Sequence, residues 1–338
     1  MPELVRVAID AMGGDNAPGT IIEGTVLALN ESDELFVYLV GDEEAITKGL
    51  SACTYDKSRL EIVPTTEVIT NDEHPALAIR HKNDSSIVVG ERLVSSGKAD
   101  AFVSGGSTGA VLVGGQLIVG RIRGIERPAL GSIVPTTEGF SLIIDCGANV
   151  DAKPSQLLQY AKMGSIYLES ALGKKNPTVA LLNLGAEEEK GNKLVRESFP
   201  LFKECKEINF TGSIESRDVP YGKADIIICD AFAGNIVLKM YEGVACMLLD
   251  KVKETFMTNL KTKIGALLIK DQLKITLKNY DMSKYGGAPM LGLKGLVAKV
   301  HGNASPKEVK NSLLQCISFK RGNIIEKITE SIKITANE

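Results

Sequence analysis

Short apolar runs closed by glycine and by acidic or hydroxyl residues recur along the chain. The first covers residues 5–9 and ends in Asp10-Ala11-Met12-Gly13-Gly14-Asp15. A run of that length bounded by turn residues predicts a buried strand. Ile21, Ile22, Val26, Leu27 and Leu29 follow at helical spacing, so a helix is expected from about Pro18. The same order of events returns at residues 101–104 before Gly105-Gly106-Ser107-Thr108-Gly109, and at residues 227–229 before Asp230-Ala231-Phe232-Ala233-Gly234-Asn235. Residues 142–144 lead in the same way into Asp145-Cys146-Gly147-Ala148-Asn149. Strands that hand over to helices predict a doubly wound α/β sandwich. Ligands of such sheets bind beyond the carboxyl ends of the strands, so these four ends are expected to meet on one rim.

Between them, residues 35–40, 60–63 and 179–183 read as further strands, and residues 131–134 and 140–145 as a hairpin. Asp84 is placed to cap a helix that buries Ile87, Val88, Leu93 and Val94. Glu187, Glu188 and Glu189 suit the first turn of another. After Asn235 a long helix carries the stripe Leu238, Tyr241, Val244, Ala245, Leu248, Val252 and Phe256, either core or a dimer face. The stretch near 250–281 is different. Lys261, Lys263, Lys270, Lys274 and Lys278 alternate there with Ile264, Leu267, Leu268, Leu273 and Leu277. Such a basic amphipathic segment suits a membrane surface or an acidic partner, or forms a partly exposed helical hairpin.

A length of 338 residues with 44% hydrophobic and 24% charged side chains describes a globular protein. The formal charge of −3 gives no global attraction to nucleic acid. Met1-Pro2-Glu3-Leu4 lacks the basic and apolar regions of a leader, and no apolar run is expected to span a bilayer. The six cysteines are scattered, with Cys146, Cys229 and Cys246 expected in the core, which implies a reduced, cytoplasmic setting. The three histidines form no HExxH pair, so no metal site is expected.

Residues 105–109 are the best phosphate cradle on physical grounds, since successive N–H groups before a helix form an anion-binding nest. They are neither a GxxxxGK[ST] loop nor a GxGxxG fingerprint. Arg121, Arg123 and Arg127 could pair with an anion or solvate a loop. Lys190 beside Gly191, beyond a strand's carboxyl end, also points to the rim.

Taken in order, DAMGGD at 10–15, STGA at 107–110, RPAL at 127–130, GANVD at 147–151, EEEKGN at 187–192, RDVPYGKAD at 217–225 and YGGAPMLGLKG at 285–295 resemble the bacterial phosphate acyltransferases of phospholipid synthesis. The resemblance covers nearly the whole chain. Departures from the family's usual residues fall at Ser107, Ser213, Ser216, Ala231 and Ala233. It implies one α/β unit over 1–338, similar to phosphate acetyltransferases and isocitrate-type dehydrogenases but without a nucleotide cofactor. The implied reaction moves a long-chain acyl group from acyl-acyl carrier protein to inorganic phosphate. A homodimer, peripheral contact with a membrane and the downstream glycerol-3-phosphate acyltransferase are the implied further partners.

Phosphate is already an anion at neutral pH, and a thiolate whose thiol has a pKa of about 8.5 is a fair leaving group. Positioning and oxyanion stabilisation then suffice, without a covalent acyl-enzyme. Lys190 and Asn235 are the expected catalytic pair. Gly13, Gly14, Ser107, Thr108 and Gly109 are expected to cradle phosphate. Asp10, Asp15, Asp145, Asn149 and Asp230 are expected to orient cations and turns, and His301 to stand on the thiol side. Two other readings fit the sequence: a phosphate acetyl- or butyryltransferase using coenzyme A, and a non-catalytic membrane scaffold.

Overall fold

The computed structural model describes residues 4–335 apart from Asn279 and Asp281; Met1 to Glu3, read above for a leader, lie outside the described residues, as do the two at the end of the basic segment. The first third of the chain forms β1 (Val5–Asp10), α1 (Gly19–Glu31), β2 (Leu35–Gly41), α2 (Glu43–Leu50), β3 (Leu60–Pro64), α3 (Pro75–His81), α4 (Ser86–Ser95), β4 (Ala101–Ser104) and α5 (Thr108–Gly114). A hairpin of β5 (Ala129–Thr136) and β6 (Gly139–Ile144) leads to α6 (Pro154–Leu172), β7 (Thr178–Asn183), α7 (Lys193–Glu204), β8 (Asn209–Glu215) and β9 (Ile226–Ile228). The chain closes with α8 (Ala231–Met257), α9 (Leu260–Lys278), β10 (Ala288–Leu291), β11 (Leu296–Lys299), α10 (Pro306–Arg321) and α11 (Ile324–Thr335).

The strands form one sheet in the order β3-β2-β1-β4-β11-β10-β5-β6-β9-β7-β8. The first five are parallel to one another, and β6, β9, β7 and β8 form a second parallel set. Because β10 runs antiparallel to both β11 and β5, and β5 antiparallel to β6, the two sets point in opposite directions. Successive side chains alternate between faces. Val7 and Ile9 of β1 enter a core with Leu29, Tyr160 and Val309, whereas Ala8 faces Ile87, Val111 and Leu238 on the other side. Each such fully buried aliphatic side chain contributes roughly 1.5–3 kcal/mol before entropy is counted.

Local chemistry explains several boundaries. Asp42 accepts from Ala45 N at 2.7 Å to cap α2, and Ser305 and Glu308 form a reciprocal capping box that starts α10. Ser85, not Asp84, caps α4; the Asp84 carboxylate instead accepts from Thr66 N and Oγ1 at 2.9 and 2.6 Å. Glu187 to Glu189 lie in a loop before α7, which Asn192 caps through Val195 N at 2.9 Å. They are therefore not a helical first turn.

Of the two readings of the long-helix stripe, core holds only at its start. Leu238 is buried, but Val244, Leu248 and Val252 are 41–55% exposed, so most of α8 leaves the body of the fold. With α9 it makes the exposed hairpin that was one of the expected forms of the basic segment. Cys246, on α8, is exposed rather than core, while Cys146 and Cys229 are buried. Contrary to the reading of the apolar runs, α8 is long and apolar enough by composition to cross a membrane, with an 18-residue window of mean hydropathy 1.3.

One buried group strains against the rest of the core. Both carboxyl oxygens of Glu91 on α4 are buried without a hydrogen-bond partner among the described residues. Burial pushes this carboxyl well above its ordinary range, and the nearby Asp10 acts in the same direction. A raised folded-state value means that the folded protein holds the proton more tightly than the unfolded chain. Its stabilising share is full below the ordinary carboxylate pKa and is lost as pH rises through the raised one. Glu91→Met is therefore expected to stabilise the fold at neutral pH, on the order of 1–3 kcal/mol. Urea unfolding at acidic and neutral pH checks this, and a wild type equally stable at both would refute it.

Candidate active site

The carboxyl ends of the two oppositely directed strand sets face each other across β5 and β10. They enclose a cleft of about 540 Å³. Thr108 after β4 and Val300, His301 and Gly302 after β11 come from one side; Cys146 and Gly147 after β6 and Ala231 and Asn235 after β9 come from the other. Three of the four expected strand ends, those of β4, β6 and β9, thus meet at a cleft between two edges, joined by the end of β11, while the β1 end does not line it. Sequence periodicity carries no information on the relative direction of the two sets.

Of the expected residues, Thr108, Asn235 and His301 line this cleft. The others stand behind it. Asp10 is buried, accepting from Ser104 Oγ at 2.7 Å and Met12 N at 3.1 Å, and burial raises its carboxyl above the usual value. Gly14 has φ +119, and Asp15 N donates to Gly302 O at 2.7 Å, so the first glycine turn braces the His301-Gly302 turn. A Cβ on Gly13 would stand 2.6 Å from Gly106 N, so the first two glycine turns pack back to back. Ser107 is buried and caps α5 through Ala110 N at 3.4 Å, and Gly109 packs on Pro75.

On the opposite wall, Asp145 is the hub. Its Oδ1 accepts from Leu130, Gly147 and Ala148 N at 3.0–3.1 Å, and its Oδ2 from Asn149 N and Nδ2, both at 2.8 Å. Burial raises this carboxyl against the pull of those donors. Asn149 passes the restraint on: its Nδ2 donates to Pro128 O at 2.7 Å, and its carbonyl accepts from Ala231 N at 3.0 Å. Asp230 caps α8 through Ala233 N at 2.8 Å. These groups fix the first turn of α8, and hence Asn235. The Asn235 amide itself forms no hydrogen bond with the described residues.

Lys190 lies outside the cleft wall. It follows β7, which pairs with β9 in parallel, so it shares an edge with Asn235 one strand further out. Its Nζ bonds Glu187 Oε1 at 2.7 Å; that hydrogen bond, the Glu187 charge and Glu215 hold the ammonium above its usual pKa.

Two cleft residues had no motif to announce them. Lys239 stands one helical turn beyond Asn235 and pairs with Glu242 Oε2 at 3.1 Å; Glu242 Oε1 reaches His301 Nε2 at 3.3 Å. Burial pushes Glu242 up, but His301 and Lys239 outweigh it and leave the carboxyl below its ordinary range. Lys299 ends β11, half-buried, with Nζ donating to Val300 O. Two lysines and no carboxylate therefore line the cleft among the described residues. The sequence signal for Lys299 was only a cation ending an apolar strand.

The fold is that of the phosphotransacetylases. The structure superposes on EutD phosphotransacetylase from Staphylococcus aureus with a TM-score of 0.59 at 18% identity, covering 95% of this chain and 94% of that one. A phosphotransacetylase from Streptococcus pyogenes gives a TM-score of 0.60 at 15% identity, covering 94% of each chain. Sequence sharpens the assignment: residues 5–327 match the family described as "Fatty acid synthesis protein". The chain is 49% identical over 329 residues to a phosphate acyltransferase of Clostridioides difficile (strain 630), covering 97% of this chain and 96% of the relative. A phosphate acyltransferase of Alkaliphilus oremlandii (strain OhILAs) is 46% identical over 330 residues, with 97% of each covered. The chain belongs to this family of phosphate acyltransferases, transferases of fatty acid and phospholipid synthesis.

Proposed function

We propose that the acyl donor is a long-chain acyl thioester of acyl carrier protein and the acceptor is inorganic phosphate. The observation that carries this reading is a cleft holding two lysines and an unengaged asparagine amide, with no carboxylate on its wall. A phosphate oxygen attacks the thioester carbonyl, its lone pair forming the new C–O bond. The tetrahedral oxyanion collapses, the C–S bond breaks, and the thiolate leaves with that electron pair and takes up a proton. Acyl phosphate and free carrier thiol result. Asn235 donates to the oxyanion. Lys190, whose exposed pairing with Glu187 is weak enough to exchange, reaches in from the neighbouring strand end to neutralise charge. The N–H groups of Thr108 and Gly109 face the phosphate, and His301 stands on the thiol side.

The protruding helices serve the partners. On α8, Phe232, Ile236, Met240 and Met247 are 50–65% exposed, a stripe suited to pairing with a second copy, which light scattering of a Met240→Glu, Met247→Glu variant tests by loss of the dimer. Between α8 and α9 an apolar hollow of about 880 Å³ is edged by Lys263, Lys270 and Lys274. Apolar surface framed by lysines fits an anionic membrane, at which the protein would act peripherally from the cytoplasm beside the acyltransferase that consumes acyl phosphate. It fits the acidic carrier protein as well, and liposome flotation separates the two.

The deciding assay is thiol release from palmitoyl-acyl carrier protein with and without phosphate. Release only with phosphate, with the acyl product trapped by hydroxylamine, is expected. Equal release without phosphate would make the protein a thioesterase, and preference for coenzyme A thioesters would replace the donor. No turnover with retained liposome binding would leave the scaffold reading.

A further inference from the structure

The expected phosphate cradle lies mostly behind the cleft. Asp10, Gly13, Gly14 and Asp15 brace its wall without reaching the cavity, so the backbone turns alone do not supply the charge that a phosphate dianion needs. The lining residues do. Lys239 is already committed to Glu242. Lys299 is not: its Nζ donates to the neighbouring Val300 carbonyl, and no described carboxylate forms an ion pair with it. Lys299 also borders a second cavity of about 360 Å³ that shares Ser132, Lys239 and His301 with the first and is lined in addition by Glu242 and Glu308. A half-buried ammonium without a counter-ion is costly to keep. On the wall of the larger cleft no described carboxylate stands beside it, which leaves that side open to an anion.

We propose that Lys299 is the principal cationic ligand of the acceptor phosphate, with Lys239 beside it. This rests on the phosphate-acceptor reading above and assigns its anion site to the end of β11. The groups around Lys299 act in both directions. Burial first, with Lys239 of α8 acting the same way, lowers its pKa to about 8 against the opposing pull of Asp10 and Asp15. Glu242 of α8, Glu308 of α10 and the His301 ring line the adjoining cavity with it. A phosphate dianion against Nζ would replace the missing counter-charge and keep the amine protonated.

Phosphate binding to the intact protein, measured by titration calorimetry with inorganic phosphate alone, tests this apart from turnover. Lys299→Met is expected to weaken phosphate binding, and to raise the phosphate KM, by roughly 30-fold or more, with the acyl-donor KM little changed. Its melting midpoint without ligand should not fall, because a buried unpaired charge has been removed. In the wild type, affinity should decline between about pH 7.5 and about pH 9, as Lys299 loses its proton. Phosphate itself becomes more highly charged over that interval, so its own titration would move affinity the other way. Wild-type phosphate affinity and KM retained in Lys299→Met would overturn the assignment of Lys299. Should that variant not fold, a wild-type affinity flat or rising with pH would overturn it. A wild type that neither binds phosphate nor depends on it would instead remove the acceptor reading.

Discussion

Asn235→Ala is expected to fold as the wild type does and to lose phosphate-dependent acyl transfer by about 10²–10³-fold, the usual cost of one oxyanion donor. The reasoning is local. Asn235 is exposed on the first turn of α8, and its amide is engaged with no described group, so truncation opens no cavity and orphans no partner. Its backbone is nevertheless held hard by the Asp230 cap and by Ala231 N on the Asn149 carbonyl. A side chain with a fixed root and a free tip is suited to meet a charge that appears only in the transition state. The loss should fall on kcat and leave the acyl-donor KM nearly unchanged. Lys190→Ala is expected to fall the same way if the β7 loop swings inward. Steady-state kinetics beside thermal melts measure both, and near-normal turnover in Asn235→Ala would remove the residue from the chemistry.

The second large effect is one residue earlier. A Cβ on Gly234 would collide with the carbonyl oxygen of Asp145, a backbone atom at the end of β6 that cannot rotate away. Gly234→Ala must therefore push the start of α8 off the sheet, at a cost of roughly 1–3 kcal/mol or more. It would carry Asn235 out of the cleft with it, so stability and activity fall together. Gly243 on the same helix has open space around the position of a Cβ. There, Gly243→Ala is expected to stabilise by about 0.5–1 kcal/mol through helix propensity alone. Urea unfolding of the two variants should give opposite signs, and equal effects would show that α8 is not clamped at Asp145.

The apolar runs were legible because strands buried on both faces leave an uninterrupted signature, as at residues 226–228 and 142–144. Helix starts were legible where a capping side chain precedes the first turn. Ser85 was missed because Asp84 beside it is as good a cap in sequence, and only the fold shows Thr66 claiming that carboxylate. The three glutamates before α7 read as a helical turn because charge reports compatibility with a dipole, not the presence of one. Most of α8 read equally as core or dimer face because an apolar stripe registers that a surface wants covering, without saying by what. In the cleft, Asn235 and Thr108 followed from strand ends, but Lys239 and Lys299 belong to no spacing rule. They become neighbours only when strands numbered far apart are laid side by side.

That strand order has a consequence during synthesis. β10 and β11, formed by residues 288–299, sit between β4 and β5, so the middle of the sheet is the last part of it to leave the ribosome. Until then the nascent chain carries two half-sheets, each ending in a buried-type strand with an open edge, the kind of surface that invites wrong pairing and chaperone capture. β10 then covers the edge of β5 and β11 that of β4, and the end of β11 delivers Lys299 and His301 to the cleft. A chain stalled before β10 thus lacks the wall of the cleft that carries Lys299, His301 and Gly302.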